Sequence, residues 1–301
     1  MLENIIKDIN NFEIKIVEFI QNVFKSDWFT ILMRIITHFG DRFIFVLIIA
    51  FVYWGVNKKY AYKLFAMFIG SAIVNTMIKF VIKRPRPFKI NKNLGIGVES
   101  HGFSFPSGHS QTIAVLSFGT VYNYKKMPKL LKLFFLSFLI MVPFSRIYLG
   151  QHYLSDVIIG LVVGIIFTIM FSFFFDLLGN YEDILPLLGI PLIILIVLNF
   201  KNADFEKFEN IFITCGGYIG FTLGYFLEKK FIKHDVNDTL MRRFKKIFFG
   251  SCSAIIILIS LDLTLNKNSL MSLFYQYLIV SFYVILIAPF IFKIVFNNKK
   301  Q

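Results

Sequence analysis

Apolar runs of bilayer length recur along this chain, separated by short polar loops, and they dictate what it can fold into. They cover about residues 40–57, 60–82, 107–124, 130–147, 152–177, 184–200, 211–228, 246–262 and 271–296. A helix needs about 20 apolar residues to cross a hydrocarbon core of roughly 30 Å, so each run reads as a span, some extended at their ends. The first is the weakest, because Asp41 and Arg42 restrict its apolar portion. Lipid offers no partner for a free backbone N–H or C=O, so a spanning segment must pair its own. The expected fold is an all-α, polytopic transmembrane helical bundle of nine spans. Composition agrees: 56% of the 301 residues are hydrophobic and 39 are phenylalanine, more apolar surface than a soluble chain of this length can bury.

Ahead of the first run, residues 3–25 carry apolar side chains at Ile5, Ile9, Phe12, Ile16, Phe19 and Val23, one face of a helix. Lys7, Asn11, Lys15, Glu18, Asn22 and Lys25 oppose them. So many charges do not cross a bilayer. The helix either lies in the interface or packs across the end of the bundle. Met1-Leu2-Glu3-Asn4 lacks the basic start and small-residue cleavage site of a signal peptide. The expected organisation is 1–27 as an amphipathic N-terminal helix, 28–180 as the core, and 181–301 as a C-terminal extension of four spans.

The formal net charge is +14. In a soluble protein that would raise nucleic-acid binding. Here no RNA- or DNA-reading motif is visible, and the basic residues sit mainly in short loops, where they set topology. Lys58, Lys59 and Lys63, then Lys125, Lys126, Lys129 and Lys132, then the stretch from Lys229 to Lys246, then Lys299 and Lys300, all fall on one side of nine spans. That side is expected to be cytoplasmic.

Three polar clusters fall on the other side. They are Lys79-x6-Arg86-Pro87, Pro106-Ser107-Gly108-His109, and Ser145-Arg146-x5-His152-x3-Asp156. Ionisable groups at the mouths of membrane helices are costly and mark sites. The basic stretch Lys83-Arg84-Pro85-Arg86 also opposes the positive-inside bias; a functional need for cations is a simple explanation, and an inverted topology is the competing one. Lys79, Arg86 and Arg146 suit a phosphate, arginine through its planar fork and lysine as a point charge. Pro85 and Pro87 argue that Arg86 arrives from an extended segment. Ser107 stands at the start of a helical run, where free N–H groups favour anions and glycine admits close approach. His109 follows in the first turn, placed to donate a proton. His152 and Asp156 are four apart and share a helix face, so the carboxylate can orient the imidazole and make it a nucleophile toward phosphorus. Each cluster alone has a plainer reading: boundary cations, a capping serine, a local His–Asp pair. Their conjunction at one membrane face favours a single site.

Position by position, the three segments resemble the signature of the type 2 phosphatidic acid phosphatase superfamily, over a core of about residues 28–177. The resemblance implies that His152 forms a phosphohistidine, that Asp156 orients it and that His109 is the general acid. Lys79, Arg86, Ser107, Gly108 and Arg146 would cradle the phosphate. It further implies metal-independent, cofactor-free hydrolysis, with water attacking the phosphohistidine and His109 then acting as base. A soluble vanadate-dependent haloperoxidase shares the pattern, but the membrane composition speaks against it.

Outside the signature, His101 is a loop residue that could touch a headgroup, His38 and His234 have no visible partner, and Gln111 could serve the site or a polar interior. Trp28 and Trp54 are expected at interfaces, and Cys215 and Cys252 as small buried hydrophobes. The four C-terminal spans read as a packing extension, a homodimer face, or a lateral groove for a lipid tail. The expected activity is hydrolysis of a membrane lipid phosphomonoester or diphosphate on the extracytoplasmic face. Undecaprenyl diphosphate leads if the source is bacterial and the membrane its plasma membrane, with phosphatidate-like and sphingoid-base phosphates open. The alternatives are a lipid phosphotransferase and a non-enzymatic transporter or scaffold.

Overall fold

The computed structural model describes residues 2–96, 100–266 and 268–296, with side chains except those of residues 2–7 and Glu206. Ile5 and Lys7 of the amphipathic pattern therefore lie outside the described side chains, and Lys299 and Lys300 outside the described residues.

Every regular element among the described residues is helical. In chain order they are α1 (Leu2–Val23), α2 (Asp27–Thr37), α3 (Arg42–Gly55), α4 (Lys58–Ile82), α5 (Pro87–Ile90), α6 (Gly108–Ile113), α7 (Gly119–Asn123), α8 (Lys129–Tyr148) and α9 (Leu154–Leu178). Then come α10 (Gly189–Phe200), α11 (Phe205–Leu227), α12 (Leu240–Thr264), α13 (Leu270–Phe282) and α14 (Ala288–Phe296). A π-helical turn, Ala114–Phe118, joins α6 to α7. Six segments are long and apolar enough to cross a bilayer: Lys58–Ile90, Lys129–Tyr148, Leu154–Tyr181, Lys207–Ile232, Leu240–Thr264 and Leu270–Phe296. The pair Asp27–Gly40 and Arg42–Gly55, bent by 57°, would make a seventh. The expected nine therefore number six or seven by length and apolarity. The remaining two expected runs fall on helices interrupted or cut short: 107–124 on α6, the π turn and α7, and 184–200 on the shorter apolar helix Leu185–Phe200.

These helices wear their apolar residues outward. On α9, Ile158, Val162, Ile166 and Ile169 are exposed, and on α12 so are Phe244, Phe248, Ile256, Ile259 and Leu263. In water such surfaces would drive association; a helix apolar all round belongs in hydrocarbon.

The chain divides into two compact units. One holds Met1–Phe45 and Gly70–Ser172, the other Val46–Ile69 and Phe173–Gln301. In the first, α1 packs through Asn10, Glu13 and Val17 and donates from Gln21 Nε2 to the carbonyls of Leu94 (2.9 Å) and Tyr148 (2.8 Å). Its apolar residues Ile9, Phe12, Phe19 and Val23 remain exposed. In the second unit, α11 and α13 lie nearly backbone to backbone. A Cβ on Gly216 would stand 2.1 Å from the Phe274 carbonyl, and one on Gly220 2.3 Å from that of Leu278. This is the small-residue spacing that lets membrane helices approach without a hydrophobic driving force. Beside it, Phe65 stacks on Phe221 (3.6 Å) and Tyr62 on Tyr225 (3.9 Å). Glu228 is fully buried there, accepting from Lys58 (3.0 Å) and Tyr53 (3.1 Å) and contacting His234 (2.7 Å).

Four sequence expectations change. His234 has a partner in Glu228, and His38 has one in Asp41 at 2.6 Å. Trp54 is buried and donates from Nε1 to the Val284 carbonyl (2.8 Å), because the pocket beside it can satisfy an indole N–H; only Trp28 is exposed. Cys252 is exposed on α12, whose apolar side faces outward; Cys215 is buried.

Candidate active site

The three polar clusters meet within the first unit. Their scaffold is a chain of buried amide and backbone bonds. Asn75 on α4 donates to the Pro106 carbonyl (3.3 Å) and to Gln111 Oε1 (2.8 Å), and Gln111 donates to the Ser71 carbonyl (2.7 Å). Gln111 thus fills a polar interior between α4 and α6. The Ser107 N–H donates to the Asp156 carbonyl (2.9 Å), tying the second cluster to the third. The contact is close because α9 offers glycines there. A Cβ on Gly160 would lie 2.6 Å from the Ser107 carbonyl, and one on Gly164 2.9 Å from that of Gln111. Ser107 caps α6, its Oγ accepting from the Ser110 N–H (3.4 Å).

Helix α4 ends at Ile82, and Lys83 turns left-handed (φ 51). Arg86 then lies in extended backbone (φ −78, ψ 155), as the flanking prolines require, and 5% exposed. Its Nη1 donates to His152 Nε2 at 3.0 Å and to the Gln151 carbonyl at 3.1 Å. Arginine can only donate, so His152 Nε2 is the acceptor and the proton of the neutral ring is on Nδ1. That atom faces Asp156 Oδ2 (3.4 Å) and Ser104 Oγ (3.4 Å). Ser104 donates to Asp156, whose Oδ2 also accepts from the Tyr153 N–H (2.9 Å). His152 sits in the turn between α8 and α9, almost wholly buried. Burial holds its pKa well below the usual histidine value, and the charges of Arg86, Arg146 and Lys79 lower it further.

The other cations converge on the same place. Arg146, on the last turn of α8, donates from Nη1 to Thr37 Oγ1 (2.9 Å) and from Nη2 to Ser100 Oγ (2.8 Å). Its Nε is buried with no hydrogen-bond partner among the described residues. Lys79 Nζ donates to the Phe103 carbonyl (2.6 Å), and Arg86 to the carbonyls of Gly102 (3.1 Å) and His101 (2.7 Å). Oxygens of segment 100–104 thus meet all three cations. Among the described residues, none of the three pairs with a carboxylate. Three sparingly exposed cations with no carboxylate in ion-pair contact are suited to attract an anion.

His109 stands on α6 with Nε2 2.7 Å from Asp41 Oδ1, and Asp41 Oδ2 meets His38. A carboxylate accepts, so His109 carries its Nε2 proton toward Asp41. In the sequence Asp41 is only a polar interruption of a span, and Ser104, Thr37 and Ser100 have small side chains that carry no distinguishing pattern. His101 contributes a backbone oxygen.

The sequence matches the model of the PAP2 superfamily over residues 60–178 and that of the PAP2 superfamily phosphatase transmembrane extension over residues 212–300. It is 30% identical over 155 residues to the undecaprenyl-diphosphatase BcrC of Bacillus subtilis, covering 51% of this chain and 78% of that protein. It is 21% identical over 227 residues to sphingosine-1-phosphate phosphatase 2 of Mus musculus, covering 70% of this chain and 62% of that protein. Among solved structures, LpxE of Aquifex aeolicus aligns with a TM-score of 0.46 at 21% identity, over 52% of this chain and 93% of that one. The chain belongs to the PAP2 superfamily, and it is an integral-membrane phosphatase.

Proposed function

We propose that this protein hydrolyses a membrane lipid phosphomonoester or diphosphate through a phosphohistidine on His152, without a metal or other cofactor. The observation that carries the reading is the 3.0 Å contact of His152 Nε2 with Arg86, which holds the Nε2 lone pair of a buried neutral imidazole at the cation cluster. Lys79, Arg86 and Arg146 would hold the phosphoryl oxygens, with Ser107 and Gly108 at the start of α6 beside them. Nε2 attacks phosphorus as the bond to the leaving oxygen breaks, and His109 gives that oxygen a proton. Asp156, reached through Nδ1–H, stabilises the positive charge that grows on the ring. Water then attacks the phosphohistidine, His109 takes its proton, and phosphate leaves with His152 restored.

The lead substrate is undecaprenyl diphosphate, which BcrC is named for. A sphingoid-base phosphate is the second reading. Its support is that the alignment with a Schizosaccharomyces pombe dihydrosphingosine 1-phosphate phosphatase, 22% identical, extends over 85% of this chain. A phosphatidate-like lipid is the third candidate. We place the site on the extracytoplasmic face, in the plasma membrane if the source is bacterial. The nine-span count holds if the bent pair, residues 108–123 and Leu185–Phe200 each cross. The C-terminal helices would then widen the bundle, flank the lipid tail or form a homodimer face.

The test is phosphate release in detergent with EDTA present, over a panel of these lipid phosphates, with the His152→Ala protein as control. Release should persist in EDTA and vanish in the variant. Equal release by His152→Ala would overturn the mechanism, and phosphate passing to an added lipid alcohol instead of water would make the enzyme a phosphotransferase.

A further inference from the structure

A fourth cation stands in the first unit, and it does not face the anion locus. Arg84 is 5% exposed and its guanidinium lies 3.9 Å over the ring of Tyr153. Every nitrogen of its fork is engaged. Nη1 donates to Asp156 Oδ1 (2.8 Å) and to Ser155 Oγ (2.6 Å), and Nε donates to Asn10 Oδ1 (2.8 Å). Nη2 pairs with Glu13. Glu13 and Asn10 belong to α1, and Glu13 also accepts from the Ser155 N–H (2.7 Å), locking α1 onto the first turn of α9. The N-terminal helix therefore reaches, through one arginine, the carboxylate that faces His152.

The charges have a logic. Asp156 alone next to Arg84 would be a neutralised pair, of little help to an imidazole that must become positive. Glu13 offsets Arg84, so the triad keeps one net negative charge beside His152 while Arg84 fixes the rotamer of Asp156. A buried pair of this kind costs desolvation and is weak as a stabiliser, which leaves positioning as its use.

We propose that Glu13 and Arg84 are positioning residues for His152, acting through Asp156, and that α1 is thereby a part of the catalytic assembly. This rests on the reading of His152 as nucleophile. The groups that face His152 from every side are Lys79, Arg86, His109, Arg146 and Asp156. Glu13, Arg84 and Asp41 lie one contact further out, and no replacement below alters the inner set. Glu13→Gln keeps the shape and removes a negative charge, and its NH2 group can no longer accept from one of the two N–H donors, Ser155 or Arg84, that the carboxylate oxygens serve. The imidazolium is then less favoured, so the acid limb of kcat/KM moves to lower pH and kcat falls about three- to tenfold, with KM held within about twofold. Arg84→Gln removes a positive charge, so its acid limb moves to higher pH, while kcat falls through loss of the Asp156 rotamer.

The experiment is the pH profile of both variants in detergent against one lipid phosphate, so that the substrate's own titration cancels. Inhibition by inorganic phosphate and the melting temperature report intact binding and folding. Opposite displacement of the two acid limbs, with phosphate inhibition unchanged and rescue of kcat by Glu13→Asp, supports the proposal. Should Arg84→Gln not fold, a downward limb in Glu13→Gln alone supports it. Profiles at the wild-type position, or displaced in the same direction, overturn it. His152→Ala run alongside separates the two ideas: if it retains release, the nucleophile reading falls, and if it is inactive while Glu13→Gln behaves as wild type, only the role of Glu13 and Arg84 falls.

Discussion

At the scale of single residues, the site is a contest between burial and charge. His152 is buried among cations, and both conditions keep it neutral. The sign follows directly. Its pKa in the folded protein is depressed, so the neutral form, the one the proposed mechanism needs, persists as pH falls through the usual histidine range. The acid limb of kcat/KM is therefore expected below about pH 6.5. Arg86→Gln removes one depressing charge, and the limb should move up while KM rises at least about tenfold, since the variant also lacks a proposed phosphate ligand. A pH series on the wild type and this variant decides it; a limb that stays in place would exclude Arg86 as a neighbour that matters to His152. For His152→Ala the expected loss in kcat is at least about a thousandfold, because no other imidazole shares its position.

Residue identity also explains what could be read from the chain without a structure. Lys79, Arg86, Arg146, His109, His152 and Asp156 stand out because an ionisable group in a greasy context is expensive and so carries information. The supporting set is different. Ser104 and Thr37 are small polar residues of a kind found throughout the chain, and nothing local separates those that touch the site from those that cap a helix. Glu13 belongs neither to the apolar set nor to the opposing polar set that the spacing of residues 3–25 defines. Only the third dimension shows that it turns inward with Asn10 and Val17.

At the scale of elements, the second and third clusters depend on how closely α6 can approach α9. Apolar run length marks both helical stretches in the sequence, but not their separation, because glycine in a membrane helix looks the same whether it faces lipid or another backbone. Gly160 is the discriminating position. A methyl there would meet the Ser107 carbonyl at 2.6 Å, and backbone cannot give way as a side chain can. Gly160→Ala should therefore push the Ser107–Gly108–His109 turn from the cations, lowering kcat/KM at least about tenfold and costing about 1–3 kcal/mol of stability. Gly102→Ala is the comparison, a glycine whose added methyl meets nothing within 4 Å, although its positive φ of 70 adds some strain. Assay and melting temperature of the two side by side test the idea. Equal losses would mean that the approach of α6 to α9 is not what places the turn.

At the scale of the whole molecule, the hydropathy pattern and the basic loops argue for sidedness. Span length made a membrane helical bundle legible, because a bilayer imposes one thickness on every crossing. The number of crossings was less legible: the bend after Gly40, the π turn at Ala114–Phe118 and the short Leu185–Phe200 helix break the simple relation of run to span. Sidedness and the crossing of residues 108–123 can be tested together, within the first unit. His101 lies on the segment over the cations, and Lys126 lies in the loop between α7 and α8, at opposite ends of the helical stretch 108–123. Both are exposed. With the exposed Cys252 replaced by serine, single cysteines at these two positions can be challenged in intact cells with a membrane-impermeant maleimide. The lysines of the second loop should hold it in the cytoplasm, while the proposed reading puts the cations around His152 outside, with the phosphate they would bind. Labelling is thus expected at position 101 and, at position 126, only after the cells are opened. The reverse pattern would place the site at the cytoplasmic surface, and the surplus of lysine between α7 and α8 would then need another cause.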